Sequence, residues 1–270
     1  MTKDVKVLIL RTAGTNCDQE TAFAFKDCGA RVDLVHVQQL LKGAKDLKDY
    51  HILVFPGGFS YGDDISAGRI LANELRLKLG EDLKRFVASK KLILGICNGF
   101  QVLVKAGLLP GGADKDARGR AQGVQQATLM TNDSGKFEDR WIHLKISGRS
   151  AWTKGMEGIV YFPVAHGEGK FVCKSSEVLQ RIQNDRQVIF RYCTSDGRQP
   201  AYPENPNGSQ DDIAGIADET GHVLGLMPHP ERHYVFTQHP FWTRLPRKGR
   251  YGDGAKIFLN GVNHIKENLG

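Results

Sequence analysis

The 270-residue chain has no CxxC pair, and its five cysteines (Cys17, Cys28, Cys97, Cys173, Cys193) are odd in number and irregularly spaced. That pattern predicts neither a disulfide framework nor a zinc site, and no metal is expected. Long apolar runs are missing too. The longer ones, such as LILGIC from Leu92 to Cys97, fall far short of the roughly 18 residues a membrane span needs. VKVLIL near the N-terminus lacks the length and cleavage site of a signal peptide, so a cytoplasmic chain with no membrane partner is expected. Neither GxxxxGK[ST] nor GxGxxG occurs, which leaves the chain without a phosphate-cradling loop.

What remains is ordinary globular material, 40% hydrophobic and 25% charged, which argues against disorder, collagen and coiled coil. The net charge of +7 is basic but mixed. Arg244, Arg247, Lys248 and Arg250 lie among Phe241, Trp242 and Tyr251, an interleaving that can build a nucleic-acid groove. Four charges in one loop more often make a solvated or protein-docking face, and no nucleic-acid partner is expected.

Over the first 110 residues, aliphatic runs alternate with amphipathic ones. VKVLIL, ARVDLVHV, HILVF and LILGIC read as strands. CDQETAFAFKDC, a segment around Gln38 to Leu47, the charged stretch Leu71 to Ser89, and NGFQVLVKAGLL ending at Pro110 read as helices. This is the pattern of a parallel α/β sheet with right-handed crossovers, which places active residues at the carboxyl ends of strands. From about residue 124 shorter runs follow (WIHLKI, GIVYFPVAH, QVIFRYC), then two around Asp218 to Gly221 that suit a hairpin. An antiparallel extension of the same domain is expected, closed by a helix over Lys256 to Leu269. Ala113 to Gly123 and Arg198 to Asp212 read as long loops.

The segment KKLILGICNGFQVL runs an apolar strand through Gly95-Ile96-Cys97-Asn98-Gly99 into a helix, the setting of a nucleophile elbow with cysteine in place of serine. A Cys at a helix N-terminus is favoured as thiolate, the attacking form. GxCxG alone has modest specificity, so a base is needed. MPHPER supplies His229, with Glu231 two residues on, where an extended backbone turns both side chains the same way. His229 and His233 have the spacing of zinc ligands, but Pro230 opposes a helix there and no third ligand is evident. In FPGGFSYGDD, Gly57 and Gly58 let backbone amides face an oxyanion, with Asn98 supplying a second donor.

PGGFSYGD, GICNGFQ, AHGEG, FRYC, NPNGS and MPHPER, in this order, resemble class I (triad) glutamine amidotransferases, and more narrowly the PurQ branch, glutaminase subunits of phosphoribosylformylglycinamidine synthase. The likeness spans nearly the whole chain. It implies a flavodoxin-like, mostly parallel sheet with helices on both faces and an antiparallel extension, in a single domain over 1–270. It also implies a triad of Cys97, His229 and Glu231, oxyanion donors at Gly58 and Asn98, and a glutamine-binding Gln101. Cys97 would attack the carboxamide of L-glutamine, His229 would protonate the departing ammonia, and water would hydrolyse the thioester. Ammonia would pass to a synthetase subunit, PurL, bridged by a small subunit, PurS. No cofactor is implied for this chain, since ATP and Mg2+ serve the synthetase. His166 and Glu168 of AHGEG are assigned to a loop beside the site. The segment after Gly111, the residues after Asp63 and an extension over about 236–254 depart from the compact form of the branch. A triad amidotransferase serving another acceptor, and a silent scaffold that keeps the fold, are the competing readings.

Overall fold

The computed structural model describes residues 4–63, 66–112, 125–246 and 249–268. The expected loop Ala113 to Gly123, together with Arg247 and Lys248, lies outside them.

The strands are β1 (Lys6–Arg11), β2 (Arg31–His36), β3 (Ile52–Phe55), β4 (Leu92–Ile96), β5 (Ala127–Met130), β6 (Glu138–Ile146), β7 (Ile159–His166), β8 (Lys170–Cys173), β9 (Val188–Cys193), β10 (Ile213–Ala217) and β11 (Val223–Leu226). The helices are α1 (Asp18–Asp27), α2 (Val37–Leu41), α3 (Arg69–Lys78), α4 (Gly80–Ala88), α5 (Asn98–Lys105), α6 (Ser176–Asn184) and α7 (Ala255–Asn268). Nine strands form one sheet in the order β2-β1-β3-β4-β11-β10-β9-β6-β7, and β5 and β8 pair separately.

From β2 to β11 every pairing is parallel, and from β11 to β7 every pairing is antiparallel. The parallel half with its antiparallel extension is the architecture the alternating runs predict. β3, β4 and β11 are buried along their whole length, as parallel strands covered on both faces must be. The order reverses between β1 and β3. Right-handed crossovers therefore put α1, which links β1 to β2, on one face, and α3 to α5, which follow β3 and β4, on the other. The crevice at such a reversal lies at the carboxyl ends of β1, β3 and β4.

Phe25 of α1 packs edge-on against Phe258 of α7, with ring centroids 5.1 Å apart, and against Trp152 at 6.4 Å. Trp152 is fully buried and donates its indole N–H to the His222 carbonyl at 3.0 Å.

Four helix expectations change. The stretch Leu71 to Ser89 is two helices, because Leu79 leaves helical geometry at φ −124° and Gly80-Glu81-Asp82 starts afresh with acids in the first turn. The segment around Gln38 to Leu47 keeps only α2, then Gly43 at φ +71° breaks it before a 3-10 turn over Leu47–Asp49 capped by Asp46. α5 ends at Lys105, before Pro110, because Gly107 takes the left-handed conformation that stops a helix. α6 was not foreseen. Its stripe is only Val178 and Ile182, one turn apart.

Past β11 the chain makes short 3-10 turns at Phe236–Gln238 and Trp242–Arg244, and a bridge between Val235 and Tyr251 closes this excursion. Arg250 binds Asp27 at 2.6 Å, so this basic residue is engaged within the fold.

Trp152→Ala, which removes the wedge between α1, α7 and the start of β11, is expected to cost roughly 3–5 kcal/mol. Urea unfolding should show a lowered midpoint with an unchanged slope.

Candidate active site

β4 runs buried into Cys97, which sits at φ 52° and ψ −108° before α5 begins at Asn98. A positive φ at a non-glycine residue costs on the order of 1–3 kcal/mol and persists only where the surroundings enforce it. Here they do. A Cβ on Gly99 would lie 1.9 Å from the Phe55 carbonyl oxygen, and one on Gly95 would lie 2.5 Å from Leu103 Cδ1, so strand and helix meet too closely for side chains. The Cys97 amide donates to the Leu226 carbonyl at 2.8 Å, and its thiol faces the Ala165 carbonyl at 3.7 Å.

β11 lies beside β4 and delivers the MPHPER segment to the same end of the sheet. The His229 amide is pinned to the Pro163 carbonyl at 2.9 Å, and Pro230 opens a 3-10 turn over Pro230–His233. His229 Nδ1 lies 2.6 Å from Glu231 Oε1, and both residues are at most 2% exposed. The second imidazole nitrogen, Nε2, is buried and has no partner among the described residues. Burial by itself pushes the His229 pKa down. The charge of the Glu231 carboxylate, then that of Cys97, and the neighbouring Cys17 thiol outweigh it and hold the pKa well above the usual 6.5. These neighbours favour the protonated imidazole. His233 faces elsewhere, donating through Nδ1 to the Tyr161 carbonyl at 2.7 Å.

The third wall leaves β3 at Pro56-Gly57-Gly58. Gly58 has φ 140°, and a Cβ there would lie 2.7 Å from the Gly14 carbonyl oxygen. The residues after β1 brace this turn: the Cys17 amide donates to Gly57 at 3.2 Å, and Phe59 and Tyr61 donate back to Gly14 and Ala13 at 2.9 and 2.8 Å. Asn98, the first residue of α5, accepts from Ser60, and its side-chain amide donates to Asp63 at 3.2 Å and to Gln101 at 3.0 Å. Gln101, 3% exposed, donates onward to the Glu168 carbonyl. The structure thus brings Gly58, Asn98, Gln101, Cys97, His229 and Glu231 together at the carboxyl ends of β3, β4 and β11.

The CobB/CobQ-like glutamine amidotransferase domain matches residues 4–265. The chain belongs to this family of glutamine amidotransferases. It is similar to the phosphoribosylformylglycinamidine synthase subunit PurQ of Dehalococcoides mccartyi, at 49% identity over 97% of this chain and 98% of the relative. It is likewise similar to the subunit of the same name from Methanococcus maripaludis strain C7, at 44% identity over 97% and 98%. Among solved structures it resembles a chain of PurLQS from Thermotoga maritima, with a TM-score of 0.72 and 28% identity, covering 97% of this chain and 100% of that one.

Within this amidotransferase, three motifs without an assigned role form one buried polar network behind Cys97. Asn132 donates both amide hydrogens, to Lys136 and His166 carbonyls at 2.8 Å each, so its oxygen faces His166 Nδ1 at 3.2 Å and the Gly169 amide at 3.0 Å. That orientation requires the proton of His166 on Nδ1 and leaves Nε2 an acceptor, buried and without a partner among the described residues. Asn207 of NPNGS donates to Tyr192 Oη of FRYC at 2.9 Å and accepts from Ser209 at 2.7 Å. Ser209 Oγ in turn accepts from the Phe171 amide at 2.9 Å. Asn132 and Tyr192 were not picked out from the sequence as site residues, because isolated polar residues there have no spacing to mark them. Cys17 also escaped notice. Its thiol lies 3.9 Å from His229 Nδ1, and only the sheet topology brings residues 212 positions apart together.

Burial, followed by the charge of His229, lowers the His166 pKa from 6.5 to about 3. Because the unfolded chain takes up this proton first, stability present above pH 6.5 is lost as pH falls toward about 3. Urea midpoints measured across that window should fall for the native chain and fall less steeply for His166→Asn.

Proposed function

We propose that this chain is the glutaminase subunit of a phosphoribosylformylglycinamidine synthase, working as one domain over residues 1–270. Glutamine places its side-chain carboxamide over Cys97. The Cys97 sulfur attacks the carbonyl carbon while the backbone amides of Gly58 and Asn98 take the developing oxyanion. The tetrahedral adduct collapses as His229 gives its proton to the leaving nitrogen, releasing ammonia and a glutamyl thioester. His229, now neutral and oriented by Glu231, then takes a proton from water, whose oxygen attacks the thioester and yields glutamate and the free thiol. Gln101 holds the substrate from one turn further along α5.

The single observation that carries this reading is the strained Cys97 elbow set beside a buried His229–Glu231 pair whose Nε2 has been left free. The relatives named as PurQ, and the structural likeness to PurLQS, support ammonia transfer to a PurL synthetase with PurS as a bridge. ATP and Mg2+ chemistry belongs to that synthetase. No helix of the described residues is long and apolar enough to cross a membrane, and cytoplasmic residence is part of the proposal.

In the reconstituted complex, Cys97→Ala is expected to lower glutamine-dependent amidination at least about 10³-fold. Ammonia-dependent amidination should be unchanged in the same preparation. Equal loss of both activities, or loss of neither, refutes the assignment of the nucleophile.

A further inference from the structure

Three potential ligands of different chemistry meet beneath the active site: Cys17 Sγ, His229 Nδ1 and a Glu231 carboxylate oxygen, all within 4.8 Å of one another and all buried. We propose that they bind a thiophilic divalent cation, Zn2+ being best suited, and that the bound ion shuts the glutaminase off. The second half of this proposal rests on the glutaminase reading above.

Zinc bonds of about 2.3 Å to sulfur and about 2.0–2.1 Å to nitrogen or oxygen set tetrahedral edges of about 3.5 Å between S and N and about 3.3 Å between N and O. The structure has 3.9 Å between Cys17 Sγ and His229 Nδ1 and 2.6 Å between His229 Nδ1 and Glu231 Oε1. These two edges need shifts of under an ångström, and the third, between Cys17 Sγ and the Glu231 oxygen, spans no more than 4.8 Å, so side-chain torsions can bring the three atoms into register. Glu231 Oε2 supplies a second reason. It is buried without a hydrogen-bond partner among the described residues, so this carboxylate has coordinating capacity left over. Water completes the four-coordinate shell.

Charge also balances. Cys17 as thiolate and Glu231 as carboxylate together neutralise a divalent ion. The competing cation is Arg232, whose Nη2 donates to Cys17 Sγ at 3.1 Å. Its side chain is 37% exposed and its carboxylate partner is Glu20, itself near the surface, so the guanidinium can swing outward and uncover the thiol. Binding expels two protons, one from the Cys17 thiol and one from His229 Nδ1. With metal on Nδ1, His229 loses its bond to Glu231 and can no longer become the imidazolium that protonates the leaving ammonia. The ion thus stops the reaction without touching Cys97.

Two measurements test this on the full chain, in the reconstituted complex for activity and alone for binding. Zn2+ is expected to inhibit glutamine-dependent amidination relative to ammonia-dependent amidination, reversibly on adding EDTA. Cys17→Ala should raise the half-inhibiting Zn2+ concentration at least about tenfold, each variant being measured against its own metal-free rate. Arg232→Ala should lower it. Co2+ used as a spectroscopic substitute should give a thiolate-to-metal charge-transfer band that survives in Cys97→Ala and disappears in Cys17→Ala. Cys17→Ser, which keeps the backbone bonds to Gly57, is the alternative if the alanine variant does not fold. Unchanged Zn2+ sensitivity in the Cys17 variants, or a Co2+ band lost with Cys97, overturns the site. A Cys17-dependent band with full glutamine-dependent activity overturns the switch. Because the Co2+ band needs no turnover, it tests the site even if the glutaminase reading fails.

Discussion

The contact between the backbone of α5 at Gly99 and the carbonyl of Phe55 at the end of β3 leaves no room for a single additional carbon atom. This closeness has consequences in both directions along the chain. It forces the strand-to-helix turn to be sharp, which drives Cys97 to a positive φ and turns its thiol toward the Ala165 carbonyl. It also draws the end of β3 against the first turn of α5, next to the Gly57-Gly58 turn. A strained residue costs free energy that the core must offset, and the fully buried strands on either side of the elbow supply it.

Around that contact the site is assembled from buried polar groups, each with a defined partner. His229 is deep in apolar surroundings, where an imidazolium would be unstable by itself, and Glu231 at 2.6 Å reverses the balance. His166 is equally buried but has no carboxylate, so it remains neutral down to about pH 3. Two histidines near one another are thereby shifted in opposite directions by their neighbours.

The alternation of strands and helices was legible because buried parallel strands are continuously apolar, and the LILGICNG segment was legible because glycines must flank a tight turn. The break between α3 and α4 was harder to see: the amphipathic period continues across Leu79, and only the backbone angle of that leucine shows the interruption. α6 was missed since a helix with two buried positions barely differs from a polar loop. Within the site, Cys97, His229 and Glu231 stood out by spacing. Asn132, Tyr192, Asn207 and Cys17 had no such mark, because their partners lie up to 212 residues away.

The sequence alone determined the fold class, the strand-to-helix turn that holds Cys97 between glycines, and the His-x-Glu pair, since each depends on residues within a few positions of one another. Tertiary structure decided the rest: which nitrogen of His229 faces Glu231, that His166 accepts where His229 donates, and that a cysteine near the N-terminus touches the same imidazole. The physical reason is range. Backbone strain and local spacing act over a turn of chain, whereas desolvation, protonation and ligand geometry depend on whatever the folded sheet packs alongside.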